Sequence, residues 1–359
     1  MYRLRLGDYV KIRTGKLDAN KSCENGKYPF FTCAIEPLKI DNYAYDLECI
    51  LVAGNGDLNV KYYNGKFNAY QRTYIIESLN QEVLLVKYLF HFMEFYISTL
   101  RHESIGGVIK YIKLNNLTDA KIPIPSIMEQ NQIIQRLELV ATLINIKKRK
   151  IVLLDSLIRS RFIEMFGDIH SNPKGFSYKK IVEFAKCIAG ATPSTKNKDY
   201  WNNGIIPWMS SGEVNQGRIW KTEKKISQLG YDSCSTRMIP EHTVVMAMAG
   251  QGRTRGTVAI AEIPLCTNQS ICSIITDDTI DADYLYTYLQ FQYDNLRNIS
   301  NGSAGRGGLN IKLIGQFAVL VPPLMLQKRF SLFLNECDKS KYQEVSVTGW
   351  RGILICCNI

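Results

Sequence analysis

The sequence predicts an α+β protein made of two tandem copies of one module, each copy followed by a long helix. Three observations predict it. Stretches from the first part of the chain recur, in order, in the last part at a nearly constant offset. Within each copy, short β-rich runs alternate with Gly, Asn and Pro breaks. Between the copies lies a stretch without Pro or Gly that carries a heptad of apolar residues.

The repeat runs through four matches. "CILVAGNGDLN" (49–59) resembles "VMAMAGQGRTR" (245–255), which sets Ala53-Gly54-Asn55-Gly56 against Ala249-Gly250-Gln251-Gly252. "NAYQRTYII" (68–76) resembles "PLCTNQSICSII" (264–275) and puts Gln71 opposite Gln269. "KYLFHFM" (87–93) resembles "DYLYTYL" (283–289). "IPIPSIMEQNQII" (122–134) resembles "VLVPPLMLQKRF" (319–330), with Pro125, Met128 and Gln130 on Pro322, Met325 and Gln327. A period of about 197 residues is too long for a solenoid repeat, so each copy is a domain with its connector. The front of the first copy, "LGDYVKIRTGK" (6–16), aligns with "IVEFAKCIAGAT" (181–192) at a shorter offset. The second copy is therefore expected to carry extra residues, assigned to "TPSTKNKDYWNNGIIPWMSSGEV".

In chain order, each module should hold strands such as "YPFFTCAI", "CILVAG" and "TYIIES", then "TVVMAMAG", "TVAIAEI" and "SICSIIT". A helix follows (81–100; 281–297), then a glycine-containing loop ("SIGGVIKYI"; "NGSAGRGGLNI") and a last strand ending in proline ("KIPIP"; "FAVLVPP"). Over 128–166, Ile133, Leu137, Val140, Ile144, Ile151, Leu154, Ile158 and Met165 recur at 4-3 spacing, with Lys147 and Arg161 completing the seam. At ~1.5 Å per residue such a helix spans roughly 60 Å and needs a partner. The second copy begins the same helix, "LMLQKRFSLFLNECDKSK" (324–341), then loses the heptad in "VSVTGWRGILICCNI". The expected division is 1–126 for the first module, 127–168 for the spacer helix, 169–322 for the second module, 323–343 for a shortened second helix and 344–359 for a tail outside the pattern.

A formal charge of +11, spread along the chain, favours a polyanionic partner, nucleic acid being the commonest. No apolar run is long enough for a bilayer span, and the basic N-terminus lacks the apolar core of a secretory signal. The cysteines show no metal spacing and are read as reduced thiols in a cytoplasmic protein. His91, His102, His170 and His242 form no triad by spacing and are read as structural.

Two such modules, each with a long helix, resemble the specificity subunit of type I restriction-modification enzymes. The residues that carry the resemblance are "LGDYVKIRTG", "IPWMSSGEV" (206–214), "TNQSICSI" (267–274), "GSAGRGGLNI" (302–311), "LVPPLMLQKRF" (320–330) and the helix end "SLIRSRFIEMFGD" (156–168). The resemblance covers about residues 1–340 and departs at the C-terminus. It implies that each module is a target-recognition domain reading one half of a bipartite double-stranded DNA sequence. The two helices would pair as an antiparallel coiled coil, the second truncated, and would dock methyltransferase subunits. S-adenosylmethionine and the chemistry would belong to those subunits, restriction subunits would join the core, and this chain would catalyse nothing. The alternatives are a stand-alone DNA methyltransferase or nuclease, a carbohydrate-binding or scaffold module, and a truncated inactive specificity subunit. A bare seam would make the chain self-associate and weaken one methyltransferase dock.

Gly-x-Gly in 250–252 lacks the third glycine and following helix of a dinucleotide fold. The loop is read as facing DNA phosphates, with a structural turn or a cofactor loop as alternatives. In the second module the candidate DNA contacts are Gln251, Arg253, Arg255 and Arg306, because arginine grips a guanine edge or a phosphate by a fork. Asn268 and Gln269 can pair with adenine, Lys196 and Lys198 with phosphates, and Trp208, Ser210 and Ser211 are placed at the groove, with core packing the alternative for Trp208. In the first module they are Asn55, Gln71, Arg72, Lys110 and Lys113, with Lys11, Arg13 and Lys16 near the start. "NGDLNVKYY" lacks the paired arginines of its twin, so the two halves are expected to read different bases. The expected helix–helix interface is Ile133, Leu137, Val140, Ile144, Ile151, Leu154 and Ile158.

Overall fold

The structure is a computed structural model that describes residues 3–250, 252–301 and 308–348, with side chains except at 301 and 342–348. The chain divides into two compact units, Met1–Arg149 and Lys150–Val347. The candidates Gln251 and Arg306, and residues 349–359 of the expected tail, lie outside the described residues.

The first unit holds strands β1 (Arg3–Arg5), β2 (Val10–Thr14), β3 (Tyr28–Phe31), β4 (Leu38–Ile40), β5 (Tyr45–Ala53), β6 (Val60–Ala69), β7 (Thr73–Ser78) and β8 (Lys121–Pro123), and helices α1 (Val86–Glu103), α2 (Leu114–Thr118) and α3 (Ile127–Phe166). The sheet runs β2-β7-β5-β6-β3-β4, antiparallel except where β3 joins β6. The central strand β5 is apolar on both faces, as a doubly covered strand must be. Ile50 and Val52 enter a core with Tyr88, Leu89 and Met93 of α1, while Cys49 and Leu51 pack with Phe31, Phe67 and Ile75 on the other side.

The second unit repeats this plan. Its strands are β9 (Ser177–Lys180), β10 (Ala185–Ala189), β11 (Ile206–Met209), β12 (Arg218–Ile219), β13 (Lys224–Ile226), β14 (Thr243–Ala247), β15 (Val258–Ala261), β16 (Cys266–Thr267), β17 (Ile271–Thr276) and β18 (Ala318–Val321). Its helices are α4 (Gln228–Asp232), α5 (Ala282–Phe291), α6 (Tyr293–Asn301), α7 (Ile311–Gly315) and α8 (Leu324–Thr348). The sheets run β10-β17-β14-β15-β12 and β13-β11-β16. Arg5 pairs with Lys121 in one unit as Lys180 pairs with Ala318 in the other. Gly15 and Gly190 stand where β2 and β10 pass a neighbouring backbone. A Cβ there would land on the carbonyl oxygens of Ala69 and Thr267.

The ladders correct the sequence alignment in two places. Ile50 pairs with Ile76, and Val244 with Ile274, so Ala53 corresponds to Ala247 and Gly54 to Met248. The glycine pairs 54/56 and 250/252 therefore stand two residues out of register, because the β14–β15 loop is longer than the β5–β6 loop. Most of the extra residues also lie later than expected. β11 takes the place of β3, and the insertion follows it, with the 3-10 turn Ser211–Gln216, β12 and α4 before β14.

A Ser126–Glu129 capping box starts α3: the Ser126 N–H and hydroxyl donate to Glu129 Oε2 at 2.9 and 2.7 Å. Along α3, Ile133, Leu137, Val140, Ile144, Lys147, Ile151, Leu154 and Arg161 are half-buried, and Ile158 and Met165 are buried. These are the seam positions read from the heptad. Within the second unit, the end of α3 lies along α8 in opposite order. Lys341 pairs with Asp155 at 2.7 Å, and Phe162 meets Phe330 edge-on at 5.3 Å. The helix α8 runs to Thr348, five residues past the boundary expected at 343. Among the described residues, no helix is long and apolar enough to cross a membrane.

Candidate nucleic-acid interface

Backbone hydrogen bonds gather one rim at an end of the first unit's sheet. Gly54 N–H donates to Arg72 O at 2.8 Å, Gly56 N–H to Lys110 O at 2.9 Å and Ile112 N–H to Gly54 O at 2.9 Å. Leu17 O accepts from Gln71 N–H at 2.9 Å, and Gln71 Nε2 donates to Asp18 Oδ1 at 2.6 Å. Five sequence candidates thus converge: Lys16, Asn55, Gln71, Arg72 and Lys110, all exposed except Asn55, which is half-buried. Lys113 follows closely, capping α2 through its N–H to Asn116 Oδ1.

The second unit builds the same rim on the same frame. Met248 N–H donates to Ser270 O at 2.8 Å and Leu309 N–H to Met248 O at 3.1 Å, repeating the bonds of Gly54. Thr192 Oγ1 donates to Gln269 Oε1 at 2.5 Å, the counterpart of the Gln71–Asp18 contact. Asn268 N–H donates to Met209 O at 3.1 Å, its Oδ1 accepts from Ser270 N–H, and Arg253 is exposed in the turn that follows Gly252. Hydrogen-bonding side chains on a fixed backbone frame are what reading base edges requires.

Other candidates fall elsewhere. Trp208 is a correction: it is 5% exposed, packs with Ile226 and Cys266, and spends its indole N–H on Ala191 O at 3.0 Å. Ser210 donates through N–H and hydroxyl to the buried Glu213, at 2.7 and 3.0 Å, and so caps a turn; Ser211 beside it is half-buried. Arg13 pairs with Glu77 at 2.8 Å and lies 4.9 Å over the Tyr45 ring, because β2 and β7 place those side chains together. Lys11 sits on the same strand, four residues before the rim at Gly15, and is exposed. Lys196 and Lys198 are exposed beside the insertion, and Arg255 is half-buried.

Sequence reasoning missed Arg101 and Arg297. Arg101 Nη2 donates to Leu58 O at 2.8 Å and to Asp57 at 3.2 Å, holding the β5–β6 loop. Arg297 Nη1 donates to Gly252 O and accompanies Tyr293, whose hydroxyl donates to Arg253 O at 2.8 Å, holding the β14–β15 loop. The signal was present as a Leu-Arg pair at 100–101 and 296–297, in step with the repeat. Lys61, beneath the first loop, is drawn below the usual lysine range by burial.

Two units that keep one scaffold and change the side chains on its rim, each leading into a long helix, define a class of paired modules. The chain belongs to the family described as the type I restriction modification DNA specificity domain, which it matches over residues 3–155 and again over 173–345. It is similar to the specificity subunit of the type I restriction enzyme EcoDI of Escherichia coli, with 40% identity over 135 residues, 38% of this chain and 30% of that protein. It is also similar to the MjaIX specificity subunit of Methanocaldococcus jannaschii, with 36% identity over 141 residues, 38% of this chain and 32% of the relative. These matches span about a third of the relatives' own lengths. Among solved structures, the fold is like that of a type I restriction-modification S subunit from M. genitalium, with a TM-score of 0.68 at 15% identity, covering 98% of this chain and 94% of that one.

Proposed function

We propose that this chain is the DNA sequence-specificity subunit of a type I restriction-modification complex. Each unit reads one half of a bipartite double-stranded target through its rim. The observation that carries the reading is the duplicated frame with different residues on it: Gln71, Arg72 and Lys110 in one unit, Asn268, Gln269 and Arg253 in the other. A common frame with changed side chains suits two readers of different half-sites.

The pairing of α3 with α8 as an antiparallel coiled coil is supported by the opposed contacts of Asp155 with Lys341 and of Phe162 with Phe330. The seam of half-buried Ile133, Leu137, Val140, Ile144, Ile151 and Leu154 and buried Ile158 suits helix packing. A second apolar row on α3, Leu139, Leu143, Ile146, Leu153 and Leu157, stays 46–60% exposed and suits the docking of methyltransferase subunits. Those subunits carry S-adenosylmethionine and the chemistry, restriction subunits join them, and the assembly works in the cytoplasm on DNA.

The test is reconstitution with type I methyltransferase subunits and S-adenosylmethionine, followed by sequencing of methylated sites. One split motif with a fixed gap is expected. Methylation without a motif, or a motif of one uninterrupted block, would refute the proposal.

A further inference from the structure

A second surface recurs in both units, beside the rim, and of its residues the sequence singled out Lys198 and Trp208. It is the outer hairpin of β3 with β4 and of β11 with β13. Its register is the same in both: Tyr28 faces Ile40 and Pro29 faces Lys39, as Ile206 faces Ile226 and Pro207 faces Lys225. Glycines precede both hairpins, and a Cβ on Gly26 or Gly204 would strike the backbone of the paired strand. Strands β4 and β13 are edges of their sheets, and Lys39, Lys224 and Lys225 point outward, exposed, with no ion pair among the described residues.

At each hairpin a lysine, from β13 in the second unit and from the neighbouring strand β6 in the first, rests on an exposed or half-buried ring. Lys66 Nζ lies 4.8 Å over Tyr43, whose ring meets that of Tyr28 at a tilt with centroids 5.0 Å apart. Lys224 Nζ lies 5.7 Å over Trp201, held edge-on to Trp208 at 5.0 Å. A ring under a lysine keeps an extended ammonium in place and lowers the entropy lost when it meets an anion. In the second unit these residues line an open cavity of about 470 Å³ with Lys198, Asn202 and Glu223. Three lysines against one carboxylate make it anion-seeking, and it is far larger than a lone phosphate needs.

The hairpin adjoins the rim. Phe31 O accepts from Tyr70 N–H at 2.9 Å, and Met209 O from Asn268 N–H at 3.1 Å, so the last residue of β3 or β11 is bonded to the segment that carries Gln71 or Gln269. We propose that these two lysine–aromatic hairpins are backbone clamps: each holds a run of duplex phosphates beside the half-site that its rim reads. This rests on the DNA-reading function above and assigns the sequence-independent part of the grip to Lys39 and Lys66 in one unit and Lys224 and Lys225 in the other. Phosphate contacts position a protein on DNA while base contacts specify.

Edge lysines also guard sheets against pairing with other chains, and the experiment separates the two roles. The reconstituted complex with methyltransferase subunits is prepared with K224Q/K225Q, with K39Q/K66Q and with K224R/K225R, and its affinity for a target duplex and a random duplex is measured across salt concentrations. Each glutamine pair should lower the slope of log affinity against log salt by about 1–2, weaken both duplexes by a similar factor and leave the methylated motif unchanged. The arginine pair should keep the slope. An unchanged slope with target binding intact overturns the clamp, whether or not the variants aggregate. If the unaltered complex shows no preference for any duplex, it is the reading function that fails.

Discussion

Arg101 and Arg297 occupy the same place in the two units and do the same work on loops of different sequence and length. Arg101 leaves the last turn of α1 and Arg297 the middle of α6, and each donates to a carbonyl oxygen of the loop after the central strand, Leu58 in one unit and Gly252 in the other. A guanidinium suits this because its fork meets several carbonyls wherever the loop presents them. The loop can change its side chains while its anchor stays.

Removing that anchor should loosen the rim. Arg297→Ala deletes charge-assisted bonds of about 1.5–3 kcal/mol in sum. Amide exchange in peptides covering 252–257 should accelerate at least several-fold, with β14 and β17 unaffected. Equal protection in variant and parent would remove the anchoring role from Arg297.

Gln130 and Gln327 form a second pair of equivalents, fully buried where each long helix leaves its module. Gln130 Nε2 donates to Pro125 O at 2.9 Å and Val83 O at 2.7 Å, and its Oε1 accepts from Leu85 N–H at 2.9 Å. Gln327 Nε2 donates to Pro322 O at 2.7 Å, and its Oε1 accepts from Asp281 N–H at 2.8 Å. Alanine at either position strands buried backbone groups at about 1–3 kcal/mol each. Gln130→Ala should therefore lower the denaturation midpoint and speed exchange in 83–90, while Gln327→Ala does so in 279–286. A midpoint within error of the parent for both would contradict this account.

The duplication was legible because the buried frame keeps its residues: Tyr88 and Tyr284 both send a hydroxyl to the last strand, to Pro123 O and Leu320 O, each at 2.8 Å. The long helix was legible because its heptad has no breaker. The rim register was not, since Gly-x-Gly pairs in loops of unequal length aligned by identity where the ladder sets them two residues apart. Trp208 was offered for the groove with core packing as the alternative, and only the packing shows its indole N–H spent on Ala191 O; Arg13 was assigned to DNA from residue type, and only the strand pairing shows it beside Glu77. Arg218 gave no signal, because its three partners are far away in sequence.

Arg218 in β12 donates to Glu262, to Asp283 at 2.7 Å and to Asp338 of α8 at 2.7 Å, with its own side chain 7% exposed. It joins the insertion, the sheet, α5 and α8. Arg218→Met would leave buried carboxylates uncompensated, a loss of about 3–5 kcal/mol. Burial already pushes the Asp283 carboxyl up, and Arg218 opposes it. Without the arginine the folded carboxyl pKa rises further, so the stability tied to it is full below the ordinary carboxylate range and falls as pH rises. The variant should thus lie closer to the parent in thermal melts near pH 4.5 than at pH 7.5. A constant gap would show that the carboxylates are not the cause of the loss.

Alkaline pH should act through buried groups in both units. Desolvation pushes the Cys49 thiol up to about 12. Burial does the same to the Tyr88 and Tyr288 hydroxyls, each pushed up to about 12. These pKa values are raised in the folded chain, so their contribution is fully present below the unfolded values and is lost as pH rises through the folded ones. Stability should hold from this cause up to about pH 9 and fall between roughly 9 and 12. In an alkaline titration, the last tyrosines to ionise at 295 nm should do so together with loss of helical circular dichroism. Complete tyrosine ionisation with the helices intact would contradict the burial of these side chains.

The sharpest functional prediction concerns Gln269. Its Oε1 accepts from Thr192 Oγ1, an arrangement that leaves the amide Nε2 without a hydrogen bond among the described residues, on an exposed side chain. Its equivalent Gln71 differs, because its Nε2 is held by Asp18 and its Oε1 is the open atom. One rim therefore offers a donor where the other offers an acceptor, and the two halves should prefer different base edges at the corresponding position. Gln269→Ala, in the complex with methyltransferase subunits, should cost about 1–3 kcal/mol of discrimination at one base pair if the amide reads it. The methylated motif should then become degenerate at that position in one half-site, with the other half and the gap unchanged. Gln71→Ala should do the same in the opposite half. Degeneracy in the same half-site for both variants would break the assignment of one rim to each half, and an unaltered motif for both would remove the two glutamines from base reading.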